Sequence, residues 1–235
     1  MSAWKAKRFW KTATAEGCDG GFTVRLDGRA VKTPAKSAFV LPTLAMAQAA
    51  AAEWDAQVKE VRPETMPVTR MANSAIDKVA VQFDEVAGLL AAYGESDLLC
   101  YRATGPVELI ARQSAAWDPL LDWAAAVLGA PLVATAGVVH VAQPPGSIAA
   151  LRARLFALTP FQLATMHDLI SISGSLILGF AVAGQRLTAA EAFSISRIDE
   201  QWQAEKWGED EDAAALEALK RAALIEAARF WNLCG

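Results

Sequence analysis

Two histidines, three cysteines and one run of acids are the residues of this 235-residue chain best suited to covalent or metal chemistry. His140 sits in an irregular valine-rich stretch and His167 early in a long apolar segment. Neither belongs to an HExxH pair, and no nucleophile elbow accompanies them. A lone histidine beside an apolar helix is more often packed or solvated than a base. Cys18, Cys100 and Cys234 are far apart, without CxxC or Cys/His metal spacing. Gly17, Gly20 and Gly21 lead into no P-loop lysine, and no GxGxxG occurs, so phosphate cradling lacks support. Consecutive acids, Glu209 to Asp212, splay apart and lack Ca²⁺-loop spacing. These absences predict no metal, and weigh against an enzyme without excluding one.

The remaining chemistry is recognition. Ser196, Glu200, Gln203 and Trp207 are spaced i, i+4, i+7 and i+11, which places them on one side of a helix. Ile195, Ile198 and Trp202 recur on another side and face a core. The helix that must position both stripes runs from Leu187 to Gly208. Thr188 and Glu191 form a capping-box pattern at its start, and Gly208 is a left-handed stop at its end. A polar stripe carrying Glu and Trp is either a solvated face or a docking face, since exposed tryptophan beside carboxylate suits a protein partner.

Composition narrows the partner. The chain carries 22 Lys+Arg and 26 Asp+Glu, net -4, so nucleic acid is not the expected partner. With 54% apolar residues a full core is available and disorder is not expected. Scattered cysteines fit a reducing compartment. The N-terminus lacks an apolar signal region, which fits a bacterial cytoplasm or a processed organellar form in the mitochondrial matrix.

In chain order, Lys7 to Thr12 reads as a strand, and Phe22 to Asp27 as a second. Asp27-Gly28 is a type I′ hairpin signal placing Val24 opposite Val31. Ser37 to Leu41 reads as a short further strand. A helix opening at Pro42-Thr43 puts Leu44, Ala47, Ala51, Trp54 and Val58 on one stripe. After the connector Val61 to Thr69, helices dominate: 70–81, 84–93, 106–116, 119–128, 147–158, 160–182 and 213–233. Trp117-Asp118-Pro119 marks a helix boundary. The uncharged run Leu169 to Val182 falls short of the roughly 20 residues of a membrane span. Leu216, Leu219, Ala223, Ala227 and Phe230 form one stripe of the last helix. The expected fold is α+β: a small antiparallel sheet with a packed helix over 1–65, then a larger all-helical domain over 66–235.

Five blocks in order, LDGRAVKTP (26–34), AAEWDAQ (51–57), DLLCYRA (97–103), QSAAWDPLLDW (113–123) and SRIDEQWQAEKWGEDED (196–212), resemble one family. It is the assembly chaperone of the F1 sector of ATP synthase, in mitochondria and alphaproteobacteria, that holds the free α subunit. The resemblance spans about residues 7 to 233. It implies two domains, no catalysis and no cofactor. It also implies binding of the unassembled α subunit over its β-facing surface until displacement. Glu200 is then the leading contact, with Gln203, Trp207 and Ser196 around it. Trp54, Trp117 and Trp202 are structural anchors, and Asp199 lies nearer the core side. The expected chain is a monomer when free, without stable membrane insertion. Two other readings stay open: an enzyme or small-ligand protein with a pocket between the domains, using Asp97, Tyr101, Arg102 or His167, and a peripheral membrane protein using Lys5 to Lys11.

Overall fold

The computed structural model describes residues 7–235, and in them a small antiparallel sheet is followed by a long series of helices. Strands β1 (Ala13–Cys18), β2 (Gly21–Leu26) and β3 (Arg29–Ala30) form one sheet in that order. Asp27 and Gly28 both take positive φ, 48° and 81°, and Leu26 stands opposite Arg29, so the loop has two residues. Val31 donates to the Val24 carbonyl at 2.9 Å, the register that the turn signal predicts.

The strand expected over Lys7 to Thr12 does not form. Lys7 makes one isolated bridge with Glu60, and pairing begins at Ala13. The Asp27 carboxylate takes the N–H groups of Lys11 and Thr12, which a sheet ladder would need. The hydrogen bond from the Thr12 backbone is the main cause holding the Asp27 carboxyl below its ordinary range. β1 itself gives a weak sequence signal because its half-buried face is Ala13 and Ala15. Ser37 to Leu41 reduces to isolated bridges, Lys32 with Ala38 and Phe22 with Leu41.

Helix α1 (Leu44–Asp55) opens on Thr43, whose hydroxyl accepts from Met46 N. It lays Met46, Ala47, Ala50 and Ala51 against β1 and β2, where small side chains permit close approach. Leu44 and Val58 stay exposed, because the helix starts at the first and ends before the second. Glu53 of α1 accepts from Val68 N, Thr69 N and the Thr69 hydroxyl at 2.7–2.8 Å. Helix α2 (Pro67–Ser74) has no side-chain cap of its own, so Glu53 supplies one from a neighbouring element. Burial pushes the Glu53 carboxyl up against those hydrogen bonds. A π-helical turn, Ala75–Val79, continues α2.

Compactness divides the chain along borders other than 65/66. The first unit runs to Phe83 and takes in 159–165 and 229–235. There Phe161 stacks on Phe230 with ring centres 6.5 Å apart, and the Thr43 hydroxyl donates to Leu233 O at 2.6 Å.

The second unit comprises 84–158 and 166–228. It holds nearly all of α3 (Phe83–Ala92), then β4 (Tyr101–Arg102), α4 (Val107–Trp123), β5 (Thr135–Ala136) and α5 (Pro145–Phe156). Strands β4 and β5 pair in parallel, so the irregular 129–146 stretch does contain a strand. Pro119 lies inside α4 and does not end it. Pro119 and Ala115, whose carbonyl loses the i−4 bond, are both exposed, so the missing bond falls on the outer side of α4, where it costs least.

The helix expected over 160–182 is two: α6 (Pro160–Ser173) and α7 (Leu176–Ala183). Gly174 takes φ 74°, and the Ser175 hydroxyl caps α7 by accepting from Leu178 N. Fully buried Asp97 holds the break. Its carboxylate accepts from the Ser175 hydroxyl at 2.8 Å, Ile177 N at 3.0 Å and Leu99 N at 3.0 Å. Burial raises the Asp97 pKa to about 6 despite these bonds. Helices α8 (Ala189–Ser196), α9 (Ile198–Trp207) and α10 (Glu211–Leu233) complete the order. Among the described residues no helix is long and apolar enough to cross a membrane.

Candidate functional site

The capping box at Thr188 forms as its spacing predicts. The Thr188 hydroxyl accepts from Glu191 N at 3.2 Å, and Glu191 Oε2 accepts from Thr188 N at 2.8 Å. The helix then breaks where the sequence suggests continuity. Arg197, at φ −115° and ψ 22°, separates α8 from α9. Its guanidinium donates to the Ile172 carbonyl and, at 2.8 Å, to Glu200. α9 stops at Gly208, whose φ is positive as expected; its ψ of 157° puts it in a region essentially open only to glycine.

The break redistributes the predicted stripe. Ser196 is 3% exposed and donates to Phe193 O at 2.8 Å, so its side chain is buried rather than on a docking face. Glu200, Gln203 and Trp207, at i, i+3 and i+7 of α9, are all exposed, Trp207 at 79%. The Glu200 charge is already answered by Arg197. Any cation docking there shares or displaces that partner.

The other side of α9 is fixed by polar and aromatic contacts with α4. Asp199 accepts from the Gln113 amide at 2.6 Å, and Gln113 in turn accepts from Ala103 N at 2.8 Å. Asp199 thus makes the internal bond that its position suggests. Trp202 is 8% exposed and has two cations over its ring, Arg112 at 5.0 Å and Lys206 at 4.7 Å from the centroid. Arg112 forks onto Glu205 at 2.8 and 2.9 Å. That hydrogen bond holds the Glu205 carboxyl low and raises the arginine. Trp117 is 1% exposed and donates its indole N–H to Ile195 O, while Arg102 lies over its ring and pairs with Asp118 at 2.7 Å. Trp54, in the first unit, is half-buried and meets Trp10 edge-on at 5.2 Å.

The residues available to an enzyme reading are dispersed among local roles. Asp97 anchors the α6–α7 break. Tyr101 OH lies 3.2 Å from His140 Nδ1, and His167 Nδ1 lies 3.0 Å from Asp168, which raises the His167 pKa chiefly through that hydrogen bond. Burial pushes the Cys100 and Cys234 thiols up to about 12, which disfavours thiolate chemistry at both. No metal-sized cluster of His, Cys, Asp and Glu occurs among the described residues.

The structure adds a feature that periodicity did not reveal. The last-helix stripe divides: Ala227 and Phe230 are buried, whereas Leu216 and Leu219 are 52% and 69% exposed. The first three turns of α10 carry no buried residue at all. What α9 and early α10 offer is an exposed surface of carboxylates and amides around the Trp207 indole, with Leu216 and Leu219 beyond it, a mixture suited to binding a protein partner.

Comparison with known proteins gives a consistent result. The sequence model of a family described as ATP12 chaperone protein matches residues 7–125. The mitochondrial protein atp12 of Schizosaccharomyces pombe is 27% identical over 223 residues, covering 90% of this chain and 77% of that one. The crystal structure of Atp12 from Paracoccus denitrificans is 49% identical with a TM-score of 0.96, covering 98% of this chain and 99% of that one. A chain from Agrobacterium tumefaciens, Atu1473, is 43% identical with a TM-score of 0.92, covering 97% and 86%.

Proposed function

The chain belongs to the ATP12 chaperone family, and from this we propose that it is a non-catalytic chaperone of ATP synthase assembly that binds the unassembled F1 α subunit. It covers the β-facing surface of α and is displaced when β arrives. The observation that carries this reading is the near-complete structural match, at 49% identity, to Paracoccus denitrificans Atp12. The physics supports it. An orphan subunit exposes an apolar interface that drives aggregation. A binder that must later leave needs a moderate, partly polar surface, because obligate interfaces are larger and more hydrophobic.

We place the α contact on α9, with Glu200 at its centre and Gln203 and Trp207 beside it. Ser196, being buried, supports the helix end instead. The test is capture of separately expressed α and β subunits, followed by addition of the other subunit to any complex. The expected outcome is capture of α alone and its release by β. Glu200→Lys is expected to abolish capture while shifting the unfolding midpoint little, since an exposed pair such as Arg197–Glu200 is worth about 0–1 kcal/mol. Capture of neither subunit by folded protein overturns the reading. A large loss of stability in Glu200→Lys moves Glu200 to a structural role.

A further inference from the structure

The first unit carries an open groove of about 580 Å³, well away in sequence from α9 and unused by the contact proposed there. Its apolar walls come from Phe9, Trp10, Leu26, Trp54 and Val61. The volume falls within the range of roughly 300–1,000 Å³ typical of ligand sites. Phe9 is 67% exposed beside it, an aromatic ring left in water.

Three features indicate what fits. The first is charge. Lys7, Arg29 and Lys32 line the groove, and no acid does among the described residues. No described acid forms an ion pair with any of the three. The second is the pair of indoles. Trp10 and Trp54 both have a buried N–H without a hydrogen-bond partner among the described residues. Both rings line the groove and meet edge-on at 5.2 Å, so what they offer a ligand is aromatic surface for apolar side chains.

The third feature is a strand edge. The consecutive residues Arg29, Ala30, Val31 and Lys32 all line the groove. Alternate residues of a strand point to opposite faces, so four in a row fits a groove that follows the edge at Arg29–Ala30, beyond which Lys32 is already bridged to Ala38. β3 is the end strand in the order β1-β2-β3. The Val24–Val31 pair is hydrogen-bonded, so alternation makes the adjoining Arg25–Ala30 pair the non-bonded one. Ala30 therefore turns its N–H and C=O outward, along the groove.

We propose that this groove is a second docking site, which takes an extended polypeptide segment of alternating apolar and acidic residues by strand addition at Ala30. The segment's backbone pairs with the edge, its apolar side chains fill the space against Trp10 and Trp54 on one face, and its carboxylates, alternating to the other face, meet Lys32 within the cationic rim. The cationic rim also makes association salt-dependent.

The probe is a fluorescein-labelled peptide, Val-Glu-Val-Glu-Val-Glu, titrated against the full chain by anisotropy. The Arg29→Glu/Lys32→Glu variant is expected to bind at least tenfold more weakly with an unchanged unfolding midpoint, since both side chains are exposed. Backbone N-methylation of the peptide tests strand pairing from the ligand side and is expected to weaken binding at least tenfold. In ¹H–¹⁵N spectra the indole N–H signals of Trp10 and Trp54 should move on addition of peptide, while those of Trp117 and Trp202 stay. Equal binding of Val-Lys-Val-Lys-Val-Lys, equal binding of the N-methylated peptide, or no binding at all overturns the proposal. So does binding of dodecanoate in place of the peptide, which assigns the groove to an amphiphile. A chain dimer lost on charge reversal assigns it to a second copy and likewise overturns it. Full α capture by the charge-reversed variant leaves the α9 reading intact, so the two stand or fall separately.

Discussion

At the scale of single residues, the most demanding position is Asp97, an acid with no exposure holding three donors at a helix break. A sequence reader meets it as a candidate catalytic acid. The structure makes it a cap for α7, with a pKa raised to about 6 because burial outweighs the hydrogen bonds. Asp97→Ala strands the N–H groups of Leu99 and Ile177, so denaturant unfolding at pH 7 should show a loss of about 3 kcal/mol. The sign of the pH dependence follows from the direction of the shift. The folded state holds the Asp97 proton more tightly than the unfolded chain, whose ordinary value is 3.8. The stability from this titration is present below about 3.8 and is lost as pH rises through about 6. The difference between wild type and Asp97→Ala should therefore widen as pH falls from 7 to 4.5. A constant difference would mean that Asp97 does not titrate in this window.

At the scale of elements, small residues decide where helices stop and how closely they approach. The uncharged run from Leu169 to Val182 offers no local reason to divide, yet Gly174 at φ 74° and the Ser175 cap split it. Beyond the break, a Cβ at Gly179 would stand 2.8 Å from Ile170 Cγ1 and 3.3 Å from the Met166 methyl. Gly179→Ala should therefore lower stability by about 1–3 kcal/mol, through overpacking rather than lost helix propensity, which alanine improves. An unfolding midpoint equal to or above wild type would show that Ile170 and Met166 move aside at no cost. Pro119 makes the converse point: a residue that usually ends a helix persists inside α4, on its exposed side.

At the scale of the whole molecule, the first compact unit is assembled from three separate stretches of chain. Phe230, almost at the C-terminus, belongs to the core of β1, β2 and α1 and is 2% exposed. Phe230→Ala should then cost about 3–5 kcal/mol and raise amide exchange in the N-terminal hairpin, some 200 residues earlier. Exchange raised only within α10 would contradict that shared core. The same dependence explains why division at 65/66 looks natural along the chain and differs from the compact units. Composition changes from strand-rich to helix-rich there, but composition carries no information about residues that return from far downstream.

The sequence by itself determined whatever depends on neighbours a few residues apart. The Asp27-Gly28 turn and its register, the Thr43 cap, the Thr188–Glu191 capping box, the α+β order of elements and the exposure of Glu200, Gln203 and Trp207 all follow from local spacing. Five ordered sequence blocks also carried the family. The tertiary structure alone decided matters that depend on distant partners. Asp27 drew Lys11 and Thr12 out of a strand, and Glu53 capped a helix to which it does not belong. Arg197 broke the α8–α9 helix and sent Ser196 inward, while Leu216 and Leu219 remained outside. A hydrogen bond or a buried face is satisfied by whichever group arrives in space, and periodicity along the chain records only the nearest candidates.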